Sequence, residues 1–399
     1  MLGISRYVKI LLFLCICSTI FCTIFVTFPN LLRKRVNREV SARKTDHQEQ
    51  TKEGLAILLR KRNYTNRQIG KMSLLGRWLL SSEGSLPPPI INKKKEPYLI
   101  LIWKHGKFLE RRHIKRFTNK KFSPWKNCTV KHCVLSYRSK DLNIADAVVF
   151  HLHLTQSMLE LPTRTRWNQR WIFLTDESPL HTFLYGNQEL FKYNGLFNWS
   201  MTYRVNSDVP VPYGRTISKS FINSPDINFS KDLIKNLKTK LITIMGSNCA
   251  GTNGRWNYVN ELKLIFGNDL DIYGKCLNEY ITEKVFWHGY HKLAIPVIMG
   301  APRKDCEKLL PPHSFLHVDD FANPTALANY IRYLNQHDDK YFEFHEWRKY
   351  YKVINEHGYF GSISRHYCRI CEALHYNFPV VKVYEDIESF WNKKQDCIL

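Results

Sequence analysis

From Tyr98 onward the chain alternates short β-type runs with polar stretches of helix length: YLILIW, CVLSY, DAVVFHL, RWIFLTDE and WSMTYRV. Runs of this kind with helix-sized gaps predict an open α/β sheet. A second series, LITIMGSN, LDIYG, AIPVIMG and SFLHVDD, follows the VPVPYG punctuation at Val209–Gly214. It ends in NPTALANYIRYLNQ, a helix that Asn323 can cap. The pattern predicts two facing Rossmann-like domains with a cleft between them, over residues 96–215 and 216–399.

The chain before Tyr98 is patterned differently. Ile10 to Phe28 holds nineteen uncharged residues, about the length that spans a bilayer core. It begins close to the initiator without a small-residue cleavage site, which predicts an uncleaved signal anchor at 10–28 behind a short tail at 1–9. Residues 29–95 are polar and basic, broken by LAILLRKR and MSLLGRWLL and closed by GSLPPPIINKKKE, which reads as a stem. Arg33, Lys34, Arg35 and Arg38 after the span, against Arg6 and Lys9 before it, would leave the long part in the cytosol. Two other features oppose that. Asn-x-Ser/Thr sequons stand at Asn63, Asn127, Asn198 and Asn228, and eight of the eleven cysteines lie outside the span, including Cys128/Cys133 and Cys368/Cys371. Together they fit an oxidising, glycosylating lumen.

The net charge of +24 invites a nucleic-acid reading, but no nucleic-acid module is recognisable and the anchor argues against one. The excess instead favours anionic ligands such as a nucleotide diphosphate or sialylated glycans.

Three stretches can carry chemistry. In YITEK, Glu283 and Lys284 fall between a short strand, Leu270 to Gly274, and a helix that leads to AIPVIMG. In strand-helix-strand units ligands settle at the carboxyl edge, so a Glu can take a ribose hydroxyl and a Lys a diphosphate there. In FLTDESPLH a strand runs out into Asp176-Glu177-Ser178-Pro179, where Glu177 can serve as a general base; equally, Asp176 or Ser178 can cap a helix and leave Glu177 solvated. In IMGSNCAGTNGRWNYVNELK a strand passes through a Gly/Ser/Asn loop into a helix, either an anion cradle with Arg255 or a turn with an exposed Arg. No metal site is expected: Asp269 and Asp271 of DLD share one face of a strand pattern, and Cys368-Arg-Ile-Cys371, flanked by His366 and His375, reads as disulfide-forming rather than zinc-binding.

YITEK, AIPVIMGAP, LLPPHSFLHVDDF, ESPLH, NWSMTYRVNSDVPVPYG and YCRICEALH together resemble the inverting α1,3-fucosyltransferases, over about residues 97 to 376. The resemblance implies a GT-B-like fold behind an anchor and stem, and a single-pass type II Golgi membrane protein with its catalytic part in the lumen. It implies GDP-fucose as donor and a GlcNAc hydroxyl of a glycoprotein glycan as acceptor, with no cofactor and no required divalent metal. Glu177 matches the base, Arg255 and Lys284 the cations facing the diphosphate, Tyr280 and Glu283 the ribose or fucose contacts, and Ser247 and Asn248 the nucleotide loop. Cys368 and Cys371 are expected to bridge back to the first domain, with Cys128 and Cys133 the nearest partners. One departure stands out: Cys276 leads through only Leu277-Asn278-Glu279 to YITEK, where the family carries a further helix and strand of roughly 30 residues. The alternative is therefore a catalytically inactive relative that binds glycans or partners.

Overall fold

The computed structural model describes residues 62–396 except 82–85, 116–122, 126–127, 186–187, 220–231, 233, 235–237, 239, 246–253, 274–281 and 359–361. The five runs of the first series become β1 (Tyr98–Ile102), β2 (Cys133–Ser136), β3 (Ala147–His151), β4 (Arg170–Leu174) and β5 (Trp199–Met201). They form one parallel sheet in the order β2-β1-β3-β4-β5. Ile100, Ile102, Ala147, Val149, Ile172 and Leu174 enter one buried cluster, while Leu101, Val148, Phe150, Trp171 and Phe173 enter another. Side chains of a strand alternate between faces, so a sheet covered on both sides needs apolar residues at every position.

The first face is covered from both ends of the chain. Helix α2 (Leu74–Leu80), which follows α1 (Asn66–Lys71), contributes Leu75 and Leu79; the helix His366–Tyr376, here the cysteine helix, contributes Tyr367, Ile370 and Leu374. The stem expected over 29–95 is thus shortened, because residues 64–81 belong to the folded body. Ser73 caps α2 by accepting from the Gly76 N–H, and the Leu75 N–H donates to Asn377 Oδ1 at 3.1 Å. MSLLGRWLL is too apolar to stay solvated: Leu74, Leu75, Leu79 and Leu80 are all buried.

Two disulfides, Cys128–Cys368 and Cys133–Cys371, tie the cysteine helix to the β2 side of the sheet, with Cα separations of 5.4 and 6.0 Å, ordinary for the bond. The second face receives Ile387 and Trp391 from the chain's end. Residues 55–399 hold together as one compact unit, and the first sheet gives way to the next strands at about residue 215.

In the second half β6 (Gly214–Ser218) lies antiparallel to the late strand Tyr351–Asn355. β7 (Ile242–Met245) pairs in parallel with β8 (Leu270–Tyr273), and β9 (Val297–Ile298) with β10 (Leu316–His317). Among the described residues no ladder joins these two pairs. Helices α3 (Arg255–Phe266) and α4 (Pro324–Gln336) share one core with them through Leu262, Phe266, Leu270, Leu316, Leu327 and Ile331. Asn323 caps α4, its Oδ1 accepting from the Ala326 N–H at 2.9 Å. Asp269 falls in a 3-10 turn before β8, so it shares no strand face with Asp271. The 10–28 span lies outside the described residues, and no helix among the described residues is long and apolar enough to cross a membrane.

Candidate active site

β4 ends at Leu174, and the chain then passes through Thr175, Asp176 and Glu177 before a 3-10 turn at Pro179–His181. The capping role allowed for Asp176 is not the one it takes: its side chain is 1% exposed, and Ser178 holds the cap position without a side-chain cap bond. Asp176 Oδ1 accepts from His366 Nε2 at 2.9 Å, Arg112 stands 3.4 Å from Oδ2, and His357 Nδ1 lies 4.0 Å from Oδ1. Burial alone would push this carboxyl up, but His366, His357 and Arg112 hold it well below the usual range, so it is an anion. The Tyr213 hydroxyl donates to the Asp176 carbonyl at 2.6 Å, and the Glu177 N–H donates to Thr175 Oγ1 at 3.3 Å. Glu177 is half-buried at the carboxyl edge of the sheet, and the peptide bond that precedes it is held at both its carbonyl and its N–H.

Around Asp176 lie more imidazoles than one carboxylate needs. His113, His151, His357 and His366 are all at most 5% exposed. Burial depresses the pKa of His151 and His357 to about 3 and holds His113 well below its ordinary value, so these rings are neutral. His113, Asp176 and His366 stand close enough to hold a cation. However, His366 Nε2 and Asp176 Oδ1 are already bonded to each other, and Ser364 Oγ takes His366 Nδ1 at 3.0 Å and His113 Nδ1 at 2.9 Å. The group holds together by hydrogen bonds between imidazoles, Ser364 and the Asp176 carboxylate. The other close set, Cys133, Cys371 and His375, is closed to metal by the disulfide and by the bond from His375 Nδ1 to the Cys371 carbonyl at 2.8 Å.

The second element of the site is a cavity of about 820 Å³ between β7 and β9. Ile242, Ile244, Val297 and Ile298 line it together with residues of α3 and α4, and Arg255 and Lys284 both reach it. Arg255 opens α3, which follows Gly254 in the left-handed region, φ +69°. Lys284 opens a π-helix, Lys284–His291, rather than the α-helix expected after YITEK. Glu283 and Lys284 also answer each other, Nζ to Oε1 at 3.2 Å, so the two charges of YITEK are mutually compensated while the lysine still lines the cavity.

Tyr213 links the two elements. It packs in one buried cluster with Phe286 and Tyr290 of the π-helix while its hydroxyl holds Asp176. Its neighbour Gly214 passes so close that a Cβ there would meet the Phe286 ring at 2.4 Å and the Ile354 carbonyl at 2.7 Å.

Of the residues singled out in the sequence, Arg255 and Lys284 line one cavity and Glu283 pairs with Lys284; Glu177 does not line it, and its loop meets the π-helix through Tyr213. Ser247, Asn248 and Tyr280 lie outside the described residues, as do the sequons at Asn127 and Asn228. Asn63 is exposed. Asn198 is not available to a glycan, contrary to expectation. It is fully buried, its Oδ1 accepting from the Trp171 N–H and Arg164 and its Nδ2 donating to the Lys382 carbonyl. Asp176, Tyr213, Ser364 and His113 carried no signal of their own; only the position of Asp176 beside a strand end hinted at a role.

Two family models match, "Fucosyltransferase, N-terminal" over residues 95–214 and "Glycosyltransferase family 10 (fucosyltransferase) C-term" over 277–391. The second begins directly after Cys276, and residues 215–276 lie in neither. Alpha-(1,3)-fucosyltransferase 7 of Mus musculus is 30% identical over 79% of this chain and 80% of its own. Glycoprotein 3-alpha-L-fucosyltransferase A of Drosophila melanogaster is 28% identical over 68% of this chain, and the match spans only 56% of the fly protein. A solved α1,3-fucosyltransferase with GDP-fucose aligns over 79% of this chain and 99% of its own, at 14% identity and a TM-score of 0.43, too loose to add to the sequence matches. The paired family models, in order along the chain, and the mouse relative matched over most of both lengths place this protein in glycosyltransferase family 10, the fucosyltransferases.

Proposed function

We propose that the protein transfers fucose from GDP-fucose to a GlcNAc hydroxyl of a glycoprotein glycan, in α1,3 linkage and with inversion at the anomeric carbon. The observation that carries this is the convergence of two cationic side chains, Arg255 and Lys284, on one cavity whose flanking helix is packed through Tyr213 against the Glu177 loop. Glu177 takes the proton of the attacking hydroxyl, and the new bond forms opposite the departing GDP. Arg255 and Lys284 neutralise charge growing on the diphosphate, stabilisation aimed at the transition state. With two such cations at the leaving group, a divalent metal is dispensable on this reading. By family and by the sequence before residue 62, the setting is the Golgi membrane, type II, with the folded part in the lumen.

The test is turnover of GDP-fucose by the full-length chain and by Glu177→Gln. The variant is expected to bind GDP normally and to lose turnover by about 10²- to 10⁴-fold, the range of a positioned acid or base. Normal turnover by the variant removes Glu177 from the role.

A second reading is favoured by the interrupted sheet. β7–β8 and β9–β10 are separate pairs among the described residues, the cavity is lined by β7 and β9, and the family's additional helix and strand would fall in sequence between β8 and β9. On that reading the cavity is the unfilled seat of a strand and the protein is a non-catalytic relative; a wild-type chain without turnover on any GlcNAc-bearing acceptor supports it.

A further inference from the structure

The hydrogen bonds around Asp176 take one direction once His366 is in the Nε2–H tautomer. Asp176 is an anion already faced by Arg112, so His366 Nε2, 2.9 Å from Oδ1, must carry a hydrogen and donate it. In the Nε2–H tautomer that this donation requires, His366 leaves its Nδ1 as an acceptor. Ser364 then donates its hydroxyl hydrogen to His366 Nδ1 at 3.0 Å and must accept from His113 Nδ1 at 2.9 Å. The His366 backbone N–H also points at Ser364 Oγ, 3.4 Å away, which suits an oxygen already acting as acceptor. The order is therefore His113 Nδ1–H to Ser364 Oγ–H to His366 Nδ1, and His366 Nε2–H to Asp176, with the His113 Nε2 lone pair at the far end unpartnered among the described residues.

Each member is held by something rigid. Ser364 forms a β-bridge with His357. His366 begins the cysteine helix two residues before Cys368, whose disulfide fixes it to Cys128. The rings of His113 and His366 lie 3.9 Å apart, centroid to centroid. Asp176 shares a peptide bond with Glu177, and the carbonyl of that bond is the acceptor for Tyr213.

We propose that His113, Ser364 and His366 form a one-directional hydrogen-bond chain that grips Asp176 and so sets the position of Glu177, making His366 and Ser364 positioning residues for the base. The proposal rests on the reading of Glu177 as general base. An imidazole suits the post because it alone offers a donor to the carboxylate and an acceptor to the serine across one rigid ring. Positioning by a fixed network matters because a displacement of about 1 Å at a reacting group can cost on the order of 100-fold in rate.

The experiment compares the full-length wild type with His366→Gln, His366→Phe and Ser364→Ala by GDP calorimetry, turnover of GDP-fucose, thermal unfolding and hydrogen exchange of the Thr175–Ser178 backbone. The Gln amide keeps a donor for Asp176, whereas Phe keeps only the ring. His366→Phe is expected to lower kcat by on the order of 100-fold with GDP affinity unchanged and to speed exchange at the Glu177 amide. His366→Gln should recover most of kcat, and Ser364→Ala, the mildest change, should fall several-fold. Three results overturn the proposal: wild-type kcat in His366→Phe, equal losses in the Phe and Gln variants, or a loss confined to GDP affinity. A wild type without turnover defeats the catalytic reading instead. The chain is then judged by ¹⁵N-histidine spectra and exchange: His366 as the neutral Nε2–H tautomer, His113 as Nδ1–H, and faster exchange at Glu177 in the Phe variant sustain the chain. Opposite tautomers or unchanged exchange refute it.

Discussion

At the scale of single residues, Asp176 and Glu177 show how adjacent carboxylates diverge by environment. One is buried under His366 and Arg112 and locked as an anion; the other stands half-buried at the sheet edge. The sequence exposes Glu177, because a strand running into an acidic pair is a local signal. It hides the partner of Asp176, which stands 190 residues away at the start of the cysteine helix. The buried imidazoles also predict a pH response. In the folded chain His151 and His357 have pKa values depressed to about 3, and that of His113 is depressed as well, whereas unfolded they titrate near 6.5. The unfolded state thus binds more protons below pH 6.5, and stability is full above that value and lost as pH falls from 6.5 towards 3. Glu356, held down to about 2 against its burial by Arg215 and Arg369, adds its own loss only below about pH 4.5. Urea unfolding at pH 7 and pH 5 should differ by on the order of 1–2 kcal/mol per buried histidine. A flat profile between those values would show that the rings are charged or solvated in the folded protein.

At the scale of elements, the first sheet was legible almost residue by residue, since five apolar runs with helix-sized gaps leave little choice for a parallel sheet covered on both faces. Three elements were not legible. The helix after YITEK is a π-helix, α1 and α2 pack where a stem was expected, and the second sheet is split into pairs. Each depends on tertiary contact: α2 is held by Asn377 and by the core under the cysteine helix, none of it local in sequence. The cysteine helix in turn depends on its bridges. Removing one with Cys133→Ser plus Cys371→Ser leaves the long loop closed by Cys128–Cys368, so the chain-entropy model values the loss at about 2–3 kcal/mol, that of the short loop between the two bridges. The double variant is expected to unfold at clearly lower denaturant and to lose turnover before it loses secondary structure, because His366 rides on that helix. An unchanged midpoint would mean that packing alone holds the helix.

At the scale of the whole molecule, family membership was readable from ordered motifs, and the structure adds a tie between the two halves through Tyr213, Phe286 and the returning cysteine helix. What the motifs do not decide is whether the cavity between β7 and β9 accepts a nucleotide with its sheet in two pieces. The donor site proposed here rests on Arg255 and Lys284, which both line that cavity, and not on an unbroken ladder. Calorimetric titration of the full-length wild type with GDP tests this most directly. Saturable binding is expected, weakened by about 1.5–3 kcal/mol in Lys284→Ala and in Arg255→Ala, as for charge-assisted contacts. No binding by the wild type, or binding that neither substitution changes, would contradict the donor site assigned to this cavity.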